Sequence, residues 1–209
     1  MPTPQSLHAG LARLSDRPAR VENVARLDPE ELRLVTVLVE RATEVDGVRP
    51  LSDAVTRSLA APGASGVRHL LVHRPGPDGP CLAGYAHLDG SDPVTGVRAE
   101  LVVDPTMRRA GVARVLLGHL GAGARDGRLL VSAHGDLEAA RATARRLGFR
   151  PWRHLQLLAS TSTVRLARLP APEPSVYVDR DDVVALRSFL RRGYLPGDTC
   201  VLYRRSSPA

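Results

Sequence analysis

The chain has 209 residues, 43% of them apolar and 24% charged, which is enough for one domain with a hydrophobic core. Its net charge of +7 is concentrated in residues 140–209, where 13 Arg stand against 5 acidic residues. Aromatic residues make up only 3% of the chain, whereas proteins that bind nucleic acid usually carry aromatic residues that stack on bases. The basic segment is therefore better explained by a solvated basic face or an anionic ligand than by nucleic acid.

Nothing in the sequence indicates export or membrane insertion. Residues 1–20 hold no apolar leader segment, and no apolar run approaches the ~20 residues that span a bilayer. Cys81 and Cys200 lie far apart and form no metal-binding or redox spacing. We therefore expect a cytoplasmic protein without a metal and without a membrane partner.

The first predicted elements are two helices that follow a loose segment. Residues 1–19 are polar and contain three prolines. In the helix predicted next, Asp28 is the cap, Pro29 stands in the first turn and Glu31 completes a capping box. Residues 50–60 predict a shorter helix with Ser52 as its cap.

The middle of the chain predicts a mixed α/β sheet. Strands are predicted over residues 68–74, 81–88, 97–103, 128–133 and 149–160. A helix is predicted over residues 108–122, and a second one is predicted to be capped by Asp136 and ended by Gly148. This order of elements indicates one mixed α/β domain over residues 20–160, with helices flanking the sheet.

The end of the chain predicts an incomplete second unit. Residues 161–175 contain three prolines and are interpreted as a linker. Residues 176–209 then predict a strand, a helix and a strand. They repeat the sequence pattern of residues 129–158, which is an apolar strand, an acidic cap, a helix rich in Ala and Arg, and Gly before an aromatic residue. A repeat of this length is too short to fold alone. The tail is therefore a partial unit.

The segment between the third strand and the following helix has the character of an anion site. The first turn of a helix offers unpaired N–H groups and a partial positive charge, and Gly111 and Ala113 would let a diphosphate approach them. Arg108, Arg109 and Arg114 would add positive charge. For these residues alone, a plain strand-to-helix turn with solvated arginines explains the pattern equally well. The flanking strand and helix favour the anion site.

Four segments carry a resemblance to a known family. Arg108 to Ala113, with the pattern Arg-x-x-Gly-x-Ala after LVVDP, resemble the acetyl-CoA loop of the GNAT acetyltransferases. Three stretches resemble the amino-terminal half of the mycothiol synthases of that superfamily: VDGVRPLSDAV (45–55), AELVVDPTMRRAGVA (99–113) and AHGDLEAARATARRLGF (133–149). The tail stretch VYVDRDDVVALRSFLRRGY (176–194) resembles the end of their second half.

The resemblance implies a GNAT-type mixed sheet, acetyl-CoA as cosubstrate and no metal. It implies transfer of acetyl to the cysteinyl amine of a cysteine–glucosamine–inositol thiol precursor. The implied cofactor-binding residues are Leu101, Val102, Val103, Arg109, Ala110, Gly111, Val112, Ala113 and Arg114. A second cofactor segment is implied at Asp182, Val183, Val184, Ala185, Leu186 and Arg187. Asp53 and Tyr177 fall at substrate-contacting positions.

The chain also departs from the family pattern. A long segment between the two halves is absent, and with it the second unit's own loop and its glutamate base. The tyrosine that commonly protonates the leaving thiolate is replaced by Ala144 in the first unit and Phe189 in the second. Glu100 and His134 are the candidate bases that remain, although a salt-bridged strand carboxylate and a histidine bonded to local backbone are the simpler interpretations.

Three hypotheses follow for the function, of which a basic adaptor for nucleic acid is opposed by the lack of stacking aromatic residues. The first is an acetyl-CoA-dependent N-acetyltransferase acting on a small-molecule amine, and the second is a non-catalytic acetyl-CoA-binding module left by internal deletion. We expect a monomer or weak homodimer that does not bind nucleic acid. His73 and His87 are expected at the surface of the sheet, Cys81 in the core, and Trp152 packed on the sheet.

Overall fold

The computed structural model describes residues 19–59, 65–76, 79–92, 94, 96–123, 128–160 and 175–205. The strands are β1 (Arg20–Val24), β2 (Val67–Gly76), β3 (Gly79–Asp89), β4 (Val97–Val103), β5 (Leu129–His134), β6 (Phe149–Ser160), β7 (Ser175–Asp179) and β8 (Tyr194–Arg205). The helices are α1 (Pro29–Asp46), α2 (Asp53–Leu59), α3 (Val112–Gly123), α4 (Glu138–Arg146) and α5 (Val183–Arg191), with a short 3-10 turn at Pro105–Met107.

The described strands form one eight-stranded sheet in the order β1-β2-β3-β4-β5-β8-β6-β7. The pairing of β4 with β5 is parallel, whereas the other neighbouring strands pair antiparallel. The predicted mixed α/β sheet flanked by helices is therefore confirmed. β1 escaped the sequence analysis because its five residues alternate too briefly to stand out, and its pairing with β2 is non-local.

Successive side chains of a strand point to opposite faces of the sheet, and a hydrophobic cluster lies on each face. On one face, Leu70 of β2 packs in a cluster with Leu116 and Leu120 of α3. On the other face, Leu71 of β2 packs in a cluster with Val35 of α1. Helices α3 and α1 thus hold the sheet from opposite sides.

Helix α1 begins as the sequence predicts. The Asp28 carboxylate accepts a hydrogen bond from the Glu31 N–H at 2.8 Å, and the Glu31 carboxylate accepts one from the Asp28 N–H at 2.7 Å. Gly47 ends the helix with a φ of 69°, a conformation that favours glycine. This capping box stabilises the helix that covers one face of the sheet.

Helix boundaries elsewhere differ from the predictions. The helix predicted over residues 108–122 begins at Val112, because residues 105–107 form a separate 3-10 turn and Gly111 has a φ of 82°. Asp136 does not cap α4; the N-cap is Leu137, without a side-chain hydrogen bond, and Asp136 has a φ of 46°. Asp136 instead forms an ion pair of 3.0 Å with Arg141.

Several expectations about burial were wrong. His87 is buried, with 4% exposed, because it lies on the face of β3 that α2 covers, where its Nε2 is 3.3 Å from the Ser58 hydroxyl. Trp152 is 40% exposed, with the Arg153 guanidinium 4.7 Å from its ring centroid. Cys81 is only partly buried.

The tail joins the same sheet as the rest of the chain. β8 lies between β5 and β6 and pairs with both, and β7 pairs with the outer side of β6. The predicted linker lies outside the described residues except Ser175, which begins β7, and the predicted loose segment lies outside them except Ala19. That the tail derives from a second unit stays a prediction. None of the helices in the described ranges has the length and apolar character needed to cross a membrane.

Candidate active site

A cleft opens in the sheet where β4 and β5 separate. The two strands pair in parallel from Val97 and Leu129 as far as Glu100 and Ser132. Beyond that point, Leu101–Val103 pair only with β3, and the end of β5 pairs only with β8. Among the described residues, no strand covers the inner edges of this cleft, so backbone hydrogen-bonding groups are available there to an extended ligand.

The loop after β4 is held by two ion pairs. Asp104 accepts hydrogen bonds from the N–H and hydroxyl of Thr106 at 2.9 and 2.6 Å and pairs with Arg41 at 2.8 Å. Arg108, which the sequence suggested as charge for an anion, instead forms two hydrogen bonds of 2.7 Å to the Asp46 carboxylate. This bidentate geometry matches a guanidinium to a carboxylate. Arg108 therefore fastens the loop to the end of α1.

The start of α3 is open on its outer side. Gly111 has a φ of 82°, and a Cβ built at this position would meet nothing within 4 Å. Arg109 and Arg114 are exposed, and neither has an acidic partner in the described part of the chain. The first intrahelical hydrogen bond runs from the Val115 N–H to the Gly111 carbonyl at 3.1 Å, so the N–H groups of the first turn stay available.

Close contact between α3 and the sheet depends on a glycine of β3. A Cβ at Gly84 would lie 2.6 Å from Cγ1 of Val112, closer than carbon atoms can pack. Val112 is buried, and its packing fixes the first residue of α3 against β3.

Three of the predicted site residues form a chain of polar contacts beside the cleft. The Glu100 carboxylate accepts a hydrogen bond of 2.7 Å from the Ser52 N–H at the start of α2. Nε2 of His134 lies 3.4 Å from Oε2 of the same carboxylate, an ion-pair distance. On the other side of the imidazole, Nδ1 is 3.1 Å from the Tyr177 hydroxyl. The side chains of Glu100 and His134 are 14% and 4% exposed.

The surroundings decide the charge of each member of this chain. Burial opposes the charged form of His134, but Cys200 and Glu100 outweigh it and raise its pKa to about 10. Burial also opposes ionisation of Glu100, yet its hydrogen bonds and charge interaction with His134 and Ser52 lower its pKa. Burial and nearby acidic groups raise the pKa of Tyr177. At neutral pH the cluster is a carboxylate, an imidazolium and a neutral phenol.

The remaining predicted residues lie in two places. Asp53 is close to the cluster: its carboxylate accepts a hydrogen bond of 3.1 Å from Ser175 and lies 3.8 Å from Arg49. The second predicted cofactor segment, residues 182–187, forms the start of α5, where the Asp182 carboxylate accepts a hydrogen bond of 2.8 Å from the Ala185 N–H. That acidic cap occupies the position an anion would take. The role of this segment stays a prediction.

The positions matched to the family's tyrosine carry no proton donor. Ala144 is buried against β6, and the Phe189 ring packs on Tyr194 with 5.1 Å between ring centroids. Sequence reasoning missed Cys200, which is buried directly opposite His134 in the β5–β8 ladder. No local signal marks Cys200, because only the insertion of β8 beside β5 brings the two residues together.

The overall fold is similar to that of a solved acetyltransferase. The ribosomal-protein-S18-alanine N-acetyltransferase from Escherichia coli matches with a TM-score of 0.54 and 17% identity, over 92% of this chain and 96% of that chain. The chain therefore shares its fold with this acetyltransferase. No protein-family profile matches it.

Its relatives in sequence are mycothiol acetyltransferases. The one from Acidothermus cellulolyticus is 46% identical over 130 residues, which cover 62% of this chain and 39% of the relative. The one from Actinosynnema mirum is 45% identical over 166 residues, which cover 78% of this chain and 51% of the relative. The match to these two relatives therefore spans about half of their length or less.

Proposed function

We propose that the chain is an acetyl-CoA-dependent N-acetyltransferase that acts on a small amine. The observation that carries this proposal is the separation of β4 from β5 after Glu100, which leaves one edge of Leu101–Val103 without a strand partner. The pantetheine arm of CoA contains amide groups, which can pair with such an edge as an added strand would. The acetyl group would then lie at the closed end of the cleft, next to Glu100 and His134.

The loop and the start of α3 supply the binding site for the CoA diphosphate in this proposal. Available N–H groups in the first turn of α3 and the helix dipole both favour an anion. The open space beside Gly111 would let the phosphates reach those groups. Arg109 and Arg114 would add charge-assisted hydrogen bonds, whereas Arg108 is already bound to Asp46.

The acceptor we propose is the cysteinyl amine of a cysteine–glucosamine–inositol thiol precursor. The names of the sequence relatives and their identity with this chain, 46% over 130 residues and 45% over 166 residues, support this choice. The Asp53 carboxylate is 38% exposed and can accept hydrogen bonds from sugar hydroxyls. Of the two candidate bases, Glu100 is the one that can accept a proton from the amine, because His134 is already protonated at neutral pH.

Titration of CoA into the Gly111→Val variant tests the proposal. We expect binding to be lost, because the added branches block the approach to the first turn of α3. Gly148→Val is the matched control, since Gly148 has a φ of 75° and open space as well but lies at the end of α4. Both substitutions place a side chain in the left-handed region at a similar cost of about 1–2 kcal/mol, so only Gly111→Val should abolish CoA binding.

Unchanged CoA affinity in a folded Gly111→Val protein would show that the loop is not the diphosphate site. The acetyl-transfer assay, with acetyl-CoA and the cysteinyl sugar amine, then separates the two candidate functions. Ala144 and Phe189, which cannot donate a proton, favour the non-catalytic module as the second candidate. CoA binding without transfer to any amine would establish that alternative.

A further inference from the structure

A tyrosine of the tail reaches the closed end of the cleft. Tyr177 lies on β7, and β6 and β8 separate it from β5 in the sheet, yet its hydroxyl is 3.1 Å from Nδ1 of His134. The two rings are tilted by 47° with centroids 5.7 Å apart. Ser175, on the same strand, is bonded to Asp53 of α2, which holds β7 in this position. The tail thereby contributes a hydroxyl to the cluster of Glu100 and His134.

The bond between Tyr177 and His134 has a defined direction. His134 carries protons on both nitrogens at neutral pH, so Nδ1 can only donate, and the Tyr177 oxygen is the acceptor. The phenolic proton of Tyr177 is consequently not used in this bond and is available to a second acceptor. The charged groups that face Tyr177 are Asp53, Glu100, His134 and Asp198, with the Cys200 thiol beside them.

We propose that Tyr177 is a catalytic residue that protonates the thiolate of CoA as it leaves, an inference that rests on the proposed function. When the amine attacks the thioester carbonyl, the N–C bond forms and the C–S bond breaks, leaving an electron pair on sulfur. The Tyr177 proton moves to that sulfur while the Nδ1 proton of His134 moves to the Tyr177 oxygen. His134 becomes neutral and regains its proton from solvent, and the proton released by the amine passes to Glu100.

With Tyr177 as the proton donor, the reaction does not need a tyrosine hydroxyl at position 144 or 189. The imidazolium holds the phenol in place and replaces its proton, and the Glu100 carboxylate in turn stabilises the imidazolium. His134 and Glu100 thus act on the leaving group through Tyr177. Burial and the nearby acidic groups keep Tyr177 protonated at neutral pH, as a proton donor requires.

The Tyr177→Phe variant of the full chain tests this role, with Tyr194→Phe as a matched control on another partly buried tyrosine of the tail. We expect kcat with acetyl-CoA and the cysteinyl sugar amine to fall about 100-fold or more in Tyr177→Phe. The dissociation constant of acetyl-CoA and the melting temperature should stay close to those of the unaltered protein. Tyr194→Phe should change none of these quantities.

A selenium analogue of acetyl-CoA distinguishes proton donation from positioning. Selenolate is a much better leaving group than thiolate and departs without a proton, so the analogue should restore most of the rate lost in Tyr177→Phe. An equal loss of kcat in Tyr177→Phe with acetyl-CoA and with the selenium analogue would show that Tyr177 only positions the substrate. If Tyr177→Phe had the kcat of the unaltered protein, Tyr177 would have no part in the reaction. If the unaltered protein binds acetyl-CoA but acetylates no amine, the proposed function fails, and the role of Tyr177 fails with it.

Discussion

Arg108 and Arg109 are adjacent in the sequence, yet their side chains have different surroundings. Arg108 is partly buried and bound by two hydrogen bonds to Asp46, which lies 62 residues earlier in the chain. Arg109 is exposed and has a φ of 64°. The sequence suggests both arginines as charge for an anion, but the structure gives Arg108 a structural role and leaves Arg109 as a candidate for anion binding.

Replacement of each arginine by alanine should separate these roles. Arg108→Ala leaves the Asp46 carboxylate, which is 15% exposed, without its partner, so the free energy of unfolding should fall by about 1–3 kcal/mol. Arg109→Ala should change stability by less than about 0.5 kcal/mol but weaken CoA binding about tenfold, the loss of one charge-assisted hydrogen bond. Denaturant unfolding and CoA titration measure the two effects. The reverse assignment would follow if Arg109→Ala were the destabilised variant.

Among the elements, β8 is a strand that pairs on both sides within the sheet. It pairs with β5 on one side through Val201 and Cys200, and with β6 on the other side along most of its length. Val201 is 1% exposed and packs in the cluster that α3 covers. The last described strand is therefore an interior strand of the sheet, and β5 and β6 are joined in the sheet only through it among the described residues.

Two substitutions on β8 test this placement. Val201→Ala removes buried methyl groups from the core and should lower the free energy of unfolding by about 2 kcal/mol. Leu195→Ala, on the same strand but 58% exposed, should change it by less than about 0.5 kcal/mol. Urea unfolding followed by circular dichroism gives both values. Equal, small effects would mean that β8 does not lie in the core of the sheet.

At the scale of the whole molecule, the described residues form one structural unit. The sheet is continuous from β1 to β7, and both hydrophobic clusters draw on the same central strands. Arginines dominate the charge after residue 140, and they include exposed positions on α4, α5 and β8. The basic segment thus lies on elements that are built into the sheet.

Calorimetry of the full chain should therefore show a single unfolding transition. Because β8 bonds to strands on both sides, the tail cannot separate while the sheet stays folded. The van't Hoff and calorimetric enthalpies should agree. Two resolved transitions, one of them shared with a chain that ends at Ala159, would instead indicate that the tail folds as an independent unit.

Part of the site follows from local sequence because local physics produces it. The cap of α1 depends on Asp28 and Glu31 alone, and the anion-binding character of the loop depends on Gly111 and the first turn of a helix that follows it directly. Glu100, His134 and Tyr177 were each suggested by position. Their assembly into one chain of polar contacts, by contrast, was not visible.

What only the tertiary structure decided is the order of strands and the contacts that depend on it. The insertion of β8 between β5 and β6 places Cys200 opposite His134 and brings β7 near enough for Tyr177 to reach the imidazole. The sequence by itself determined the described strands other than β1, the fold class and the loop at Gly111, because hydrophobic period, caps and turns act over a few residues. Strand order depends on pairing between segments far apart in the chain, and the charge of His134 depends on burial and on neighbours that this pairing supplies.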